Sequence, residues 1–297
     1  MIERLLCERK IEYKTNILLS NCSSFKIGGE CKIGVFPKNR EELSFAIKSA
    51  RELSLKYTVV GRGSNILFSD EGYDGVIIFT SKMNNITEED GLIYAEAGAT
   101  LSTLANHALK VSLSGLEFAY GIPGSLGGAV FMNAGAYGGE MSDVVVFSDY
   151  YDPDTDTFGR FSGDEQKFSY RESIYSHNEK LVVLAAALGL KEGNADEIKR
   201  VMNENMQKRR DKQPLEYPSA GSAFKRPAIG FAAQMIDECG LKGESVGDAA
   251  VSEKHAGFVI NKGNASAEDV KSLMERVQKC VFEKYGVMLE SEIRYID

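Results

Sequence analysis

The chain has 297 residues, with 43 acidic side chains against 35 basic ones and a formal net charge of −8. That balance excludes a general coat for nucleic acid or anionic membrane, which needs a basic stripe, yet it leaves room for a small anionic ligand at a local basic cluster. A hydrophobic share of 43% excludes wholesale disorder, and no apolar run approaches the roughly 18 residues of a membrane-spanning helix.

In chain order, the first ten residues mix charges without an apolar leader core, so the expected location is the cytoplasm. Asn39 with Glu42 opens a predicted helix whose apolar face is Leu43, Ala46, Ile47, Ala50 and Leu53. Strand-like runs follow at Tyr57–Val60, Val76–Phe79, Leu92–Ala95, Val144–Phe147 and Leu181–Leu184. Asn194 with Glu197 opens a second helix toward Met206. Ser266 with Asp269 opens a third, with Val270, Leu273, Met274, Val277 and Val281 on one face. The tail from Met288 to Ile296 alternates as a strand, with Glu290, Glu292 and Arg294 on one face. Strands and helices interleave without a period, so the fold class is α+β.

The five cysteines include no C-x-x-C pair and are expected to be reduced thiols; the three histidines are far apart, and no metal site is expected. Glycine, at 29 residues, stands above its usual share of about 7% and is bunched. One cluster is Gly61-Arg-Gly-Ser-Asn-Ile66. The other is Gly121-Ile-Pro-Gly-Ser-Leu-Gly-Gly128, running into Asn133-Ala-Gly-Ala-Tyr-Gly-Gly139. Such loops turn backbone N–H groups inward and can hold phosphates, although each alone also reads as a tight turn. Neither is a dinucleotide fingerprint or a P-loop: Ile66 stands where a third glycine belongs, and no Gly-Lys-Ser/Thr closes either cluster. Lys208, Arg209, Arg210 and Lys212, with Lys225 and Arg226 beyond them, form a basic stretch. It reads either as an anion site or as a solvated helix end favoured by the dipole. Ser222-Ala-Phe-Lys225 matches S-x-x-K, but Pro227 opposes the helix that this acyl-enzyme motif needs.

Eight motifs occur in one order: Phe25-Lys-Ile-Gly-Gly29, Gly61 to Leu67, Gly121 to Ala129, Met132 to Gly138, Tyr170-Arg-Glu-Ser173, Gly221 to Pro227, Ala256 to Asn261 and Leu289 to Arg294. In that order and spacing the chain closely resembles the UDP-N-acetylenolpyruvoylglucosamine reductase family, from about Ser20 to Ile296. It resembles the shorter type, because only about ten residues separate Arg171 from the run at Leu181. Glu172, Ser23-Ser24 and Glu30 depart locally from the family pattern.

The resemblance implies a two-part FAD-binding module of the vanillyl-alcohol oxidase (PCMH-type) kind, plus a C-terminal α+β substrate domain. The divisions expected are 1–82 and 83–207 for the two flavin-binding parts, 208–285 for the UDP-sugar domain, and 286–297 for a strand returning to the flavin side. It further implies a reductase of peptidoglycan precursor synthesis. NADPH reduces FAD, hydride passes from flavin N5 to the vinyl carbon of an enolpyruvyl UDP-sugar, and Ser222 protonates the intermediate. By position, the catalytic residues are Arg171, Ser222 and Glu292; the resemblance alone prefers Glu292 to Glu290. Cofactor contacts are implied at Gly61, Arg62, Gly63, Ser64, Asn65, Ile66, Leu67, Gly121, Pro123, Gly124, Ser125, Gly128, Asn133, Gly135 and Tyr137. Substrate contacts are implied at Tyr170, Lys212, Lys225 and Arg226. The expected partner is the small UDP-sugar, with no nucleic acid, no membrane and a monomeric chain. Two rivals stay open here: an FAD oxidase on the same scaffold, and a non-catalytic UDP-sugar sensor.

Overall fold

A computed structural model describes all residues from 1 to 297. The chain folds as two compact units. Unit 1 comprises residues 1–15, 33–62 and 75–208; unit 2 comprises 16–32, 63–74 and 209–297. This grouping differs from divisions at 82, 207 and 285, because unit 2 takes two short early segments as well as the C-terminal third.

Unit 1 contains helices α1 (Ile2–Glu8), α2 (Arg40–Glu52), α3 (Leu101–Lys110), α4 (Leu126–Phe131) and α5 (Ile174–His177), and most of α6 (Ala195–Lys212), whose last four residues belong to unit 2. Asn39 caps α2 as its sequence suggests, its side chain accepting the Glu42 N–H at 2.8 Å. The face of Leu43, Ala46, Ile47 and Ala50 is buried. With Ile2, Leu6, Val76 and Ile78 it forms one apolar cluster. The parallel pair Tyr57–Val60 and Tyr73–Phe79 belongs to the four-stranded sheet beside it. A second cluster, which includes Ile93, Leu104, Leu126, Val130 and Tyr175, lies against a five-stranded antiparallel sheet. Its strands run in the order Thr157–Ser162, Val145–Asp152, Val182–Leu188, Leu92–Glu96, Ile86–Glu89.

Three sequence expectations shift here. The run at Leu181 becomes the strand Val182–Leu188, which continues through Ala185–Ala187 because every residue in it is buried between flanking strands. Val144 ends a short turn, so its strand starts at Val145. Helix α6 continues past Met206 to Lys212, which places Lys208, Arg209, Arg210 and Lys212 at a helix C-terminus. There the dipole favours cations.

Unit 2 holds α7 (Ala232–Glu238) and α8 (Ala267–Tyr285) beside an antiparallel sheet ordered Ser219–Ser222, Phe258–Asn261, Ala249–Val251, Ser245–Val246. Ser266 and Asp269 form the capping box of α8. The carboxylate of Asp70 adds to this cap from the segment 63–74, accepting the Ala267 N–H at 2.8 Å. Buried Asn261 stitches in the other early segment. Its amide donates to the Phe25 carbonyl at 3.2 Å, and its oxygen accepts from the N–H groups of Gly263 and Ala265. The core collects Phe25, Ile27 and Leu67 with Val270, Leu273, Val277, Leu289 and Ile293. The tail is a strand only over Arg294–Ile296, parallel to Ile66–Phe68. Before that it meets the Phe224 segment at one bridge, at Ser291, so no ladder carries the alternation back to Met288.

Candidate functional site

In unit 1 the second glycine cluster is clamped by backbone bonds. Leu101 N–H donates to Gly124 O at 3.1 Å, and the N–H groups of Leu126 and Gly127 donate to Ala99 O and Ala97 O, each at 2.8 Å. Ser125 precedes α4 and is buried, yet its Oγ has no hydrogen-bond partner in the protein. A Cβ on Gly61 would lie 2.2 Å from that Oγ, so the first cluster can approach only as glycine. A buried orphan hydroxyl beside a side-chain-free backbone suits a ligand rich in acceptor oxygens, as the diphosphate of FAD is. The residues present fit that cofactor.

Beyond α4 the chain turns at Asn133, whose φ is +44°, a left-handed conformation that asparagine tolerates better than most residues. Its side chain is fully buried and bonded within the protein. The amide donates to Ser169 O at 2.9 Å and Glu140 Oε1 at 3.1 Å, while Oδ1 accepts the Ser142 N–H at 2.9 Å. Asn133 therefore ties the glycine segment to the turn that bears Arg171. That turn is a two-residue reversal, Tyr170-Arg171, closed by paired bonds between Ser169 and Glu172. Arg171 has φ +60° and donates to Gly135 O at 3.3 Å, and its guanidinium lies 4.9 Å from the Tyr170 ring centroid. Ser173 anchors the far side, its Oγ donating to Phe131 O at 2.6 Å. The Glu172 carboxylate accepts from Ser169 Oγ and contacts His177 Nε2 at 3.2 Å. Tyr137, also left-handed at φ +53°, is exposed on the same glycine segment.

Unit 2 brings together Ser222, Glu292 and the loop from Gly63 to Leu67. Gly63 is left-handed at φ +63°, and a Cβ there would meet Cys22 O at 2.2 Å. Ser24 donates its N–H to Gly63 O at 3.1 Å and its Oγ to Ser219 O at 2.7 Å, linking the loop to the Ser222 strand. Leu67 points into the core. Ser222 closes a strand and is not on a helix, which removes the context of an S-x-x-K nucleophile. Pairing shifts from Ser219 opposite Ile260 to Ser222 opposite Phe258, a bulge formed around left-handed Gly221 at φ +80°. A bulge re-aims the side chain that follows it. Immediately after Ser222, Ala223 O accepts the Glu292 N–H at 2.9 Å and Lys225 N–H donates to Glu290 O at 2.9 Å. Ser222 and Glu292 thus stand on adjoining extended segments.

The two glutamates are no longer equivalent. The Glu290 side chain is 74% exposed and pairs with Lys225 Nζ at 3.2 Å, whereas Glu292 is half-buried. Arg226 lies 4.4 Å over the Phe231 ring, and Lys212 is exposed at the end of α6. The sequence reading missed Ser24, Asn133 as a clamp, Ser173 and His255. The key partners of Ser24, Asn133 and Ser173 are remote in sequence, so no local spacing marks them, although Ser173 does close the Tyr-Arg-Glu-Ser motif. His255 bonds two residues on, but its burial leaves no local pattern. His255 Nδ1 accepts the Gly257 N–H at 3.1 Å beside the strand opposite Ser222, and burial holds its pKa below the ordinary histidine value. No group of three metal-ligating side chains is present, none of the five cysteines is in a disulfide, and no helix is long and apolar enough to cross a membrane.

Two family models match the chain: an FAD binding domain over residues 32–158, and the C-terminal domain of UDP-N-acetylenolpyruvoylglucosamine reductase over 213–296. A reductase of that name from Clostridium novyi is 48% identical, covering 97% of this chain and 93% of the relative. Another from Caldicellulosiruptor saccharolyticus is 46% identical over 99% and 95%. The crystal structure of the Thermus caldophilus reductase superposes with a TM-score of 0.81 at 35% identity, covering 97% of this chain and 99% of that one. The Physcomitrella patens BBE-like 1 structure, at 13% identity and a TM-score of 0.51 over 65% of this chain and 44% of its own, shares the fold alone. With near-half identity across almost its whole length, and with residues that fit the cofactor, this chain belongs to the UDP-N-acetylenolpyruvoylglucosamine reductase family, the FAD-dependent oxidoreductases that combine an α+β flavin-binding module with a C-terminal substrate domain.

Proposed function

We propose that the enzyme uses NADPH to reduce the enolpyruvyl ether of UDP-N-acetylglucosamine enolpyruvate to UDP-N-acetylmuramate, with Arg171, Ser222 and Glu292 acting on the substrate. The observation that carries this assignment is the pairing of Glu292 N–H with Ala223 O, which seats a carboxylate next to the Ser222 strand end. Gly61 to Leu67 and Gly121 to Gly128, with Asn133, Gly135 and Tyr137, would hold FAD. When bound, FAD supplies a hydride acquired from NADPH. Addition of that hydride to the distal vinyl carbon leaves negative charge shared between the ether-bearing carbon and the carboxylate. Arg171, a permanent and forked cation, binds the carboxylate and stabilises this charge. The Ser222 hydroxyl gives its proton to the ether-bearing carbon, forming the new C–H bond, and is reprotonated from solvent. Glu292 orients the enolpyruvyl group. Lys212, Lys225, Arg226 and Tyr170 hold the diphosphate and sugar.

The two sheets of unit 1 support two flavin-binding parts, which we assign to 1–82 and 83–207, with Tyr151, Val182 and Leu184 of the second packed into the apolar cluster of the first. The segments 208–285 and 286–297 complete that reading as the substrate domain and the returning strand. We read the chain as a cytoplasmic monomer, and its acidic balance opposes engagement of nucleic acid. The visible spectrum of the purified holoenzyme tests the reaction. NADPH should bleach the flavin band under nitrogen, and the enolpyruvyl UDP-sugar should restore it. Bleaching by an alcohol or sugar, with restoration by oxygen and none by the enolpyruvyl UDP-sugar, would make the protein an oxidase, and a band that neither NADPH nor such a substrate bleaches would make it a sensor.

A further inference from the structure

The loop bearing Asn65 and the segment bearing Glu292 are joined within unit 2 in a particular way. Arg294 N–H donates to the Asn65 carbonyl at 3.0 Å, and from there Ile66–Phe68 and Arg294–Ile296 run as a parallel ladder. The ladder stops at Ile66. One residue further back, the side chain of Asn65 takes over, its Nδ2 donating to the Glu292 carbonyl at 2.9 Å. The opposite side of the same residue is fixed by Glu292 N–H on Ala223 O at 2.9 Å. Both peptide groups of Glu292 are thus pinned, one by the residue after Ser222 and the other by a side-chain amide.

We propose that Asn65 is a positioning residue for Glu292: its amide fixes the Glu292 carbonyl and, through it, the direction of the carboxylate. This rests on the role given to Glu292 above. By its place in the sequence Asn65 belongs to a glycine loop facing the cofactor, but this amide hydrogen is spent on the C-terminal segment. The Glu292 stretch needs such a substitute for a ladder bond, because the tail on the Phe224 side has only a single bridge, at Ser291. Of the two bonds to the Glu292 peptide groups, the one from Asn65 alone depends on a side chain, and so one substitution removes it. A displaced catalytic group can cost about 100-fold in rate even when the shift is on the order of 1 Å.

The test is a double-mutant cycle on the holoenzyme, reading stopped-flow reoxidation of NADPH-reduced flavin by saturating UDP-N-acetylglucosamine enolpyruvate. Asn65→Ala should slow reoxidation by about 10- to 100-fold. In a Glu292→Ala background the same substitution should add less than about threefold, because the group it positions is gone. Equal slowing in both backgrounds would mean a structural role and overturn the inference. Asn65→Asp keeps the size but removes the donor, and serves if the alanine variant does not fold; it too should be slow, and a native rate in it overturns the inference. Flavin missing from both Asn65 variants would assign the amide to the cofactor and overturn it as well. A slow Glu292→Ala beside a native-rate Asn65→Ala defeats the inference alone. Undiminished reoxidation in Glu292→Ala defeats the role of Glu292 and this inference together.

Discussion

In unit 1, Arg171 stands on a two-residue turn with a left-handed backbone, and side chains hold that turn: Asn133 on one flank and Ser173 on the other. In unit 2, Ser222 and Glu292 stand on extended segments whose peptide groups bond to one another. Each arrangement suits the residue it presents. Arginine has a long side chain, so a turn need fix only its root. Serine has one rotatable bond before its hydroxyl, and its backbone must deliver it to the place of use. The turn should therefore be vulnerable to changes in the side chains that hold it, whereas the extended pair should yield at the groups that do the chemistry and at Asn65, whose amide pins Glu292.

The largest effect is expected in unit 1 at Gly128. A Cβ there meets nothing closer than Ser125 Oγ at 3.9 Å, so Gly128→Val should fold. Its branches would occupy the space assigned to the cofactor, and the purified variant should lack most of its flavin absorbance. A full flavin complement would move the cofactor away from this loop. Next comes Ser222→Ala in unit 2, which should leave NADPH bleaching of the flavin nearly normal and slow reoxidation by at least about 100-fold. Equal slowing of both half-reactions would point to a structural serine, and undiminished reoxidation would remove it as the proton donor.

Stability should separate the units next. Asn133→Ala removes three hydrogen bonds that a fully buried side chain makes to two loops, each worth about 0.5–1.5 kcal/mol, and should lower the melting temperature by roughly 5–10 °C. Glu290→Ala removes only an exposed ion pair and should cost less than about 1 kcal/mol. Similar melting curves for the two variants would erase the contrast. The smallest effect concerns pH. Burial lowers the His255 pKa in the folded chain, so its contribution is complete above the unfolded value of about 6.5 and is lost as pH falls through the lower folded one. Protonation also ends acceptance of the Gly257 N–H. Acidification below about pH 6.5 should lower the melting temperature, and less so in His255→Asn, which keeps an acceptor without titrating. Identical acid limbs would show that another group governs them.

Local signals were the legible ones. Asn39 and Ser266 announced their helices because a cap and its partner lie three residues apart, and Ser222 was barred from a helix by a proline five residues on. The alanines of Val182–Leu188 read poorly as a strand, since their conformation is set by neighbours on both sides. Thr100 caps α3, whose apolar face of Leu101, Leu104, Ala105 and Ala108 is diluted by small alanines and by Ser102, Thr103 and Asn106 between them. The candidate site followed the same rule. Its motifs could be aligned by order, but the difference between Glu290 and Glu292 depends on Lys225 and Asn65, which the chain brings from far away.

The parallel ladder between Ile66–Phe68 and Arg294–Ile296 also sets a timetable for synthesis. Unit 1 has all its segments once residue 208 has been made, whereas the early pieces of unit 2 must wait for the last strand. Leu67 lacks the apolar face of α8 and then Ile293 until those residues are made, and the edge of Ile66–Phe68 lies open on the nascent chain until Arg294–Ile296 follows. Non-local pairing of this kind is slow to close and prone to aggregation while open. Loss of residues 294–297 would leave the bulk of the chain intact and still deny unit 2 this strand, so folding of the Ser222 half is committed only once Ile296 has been made.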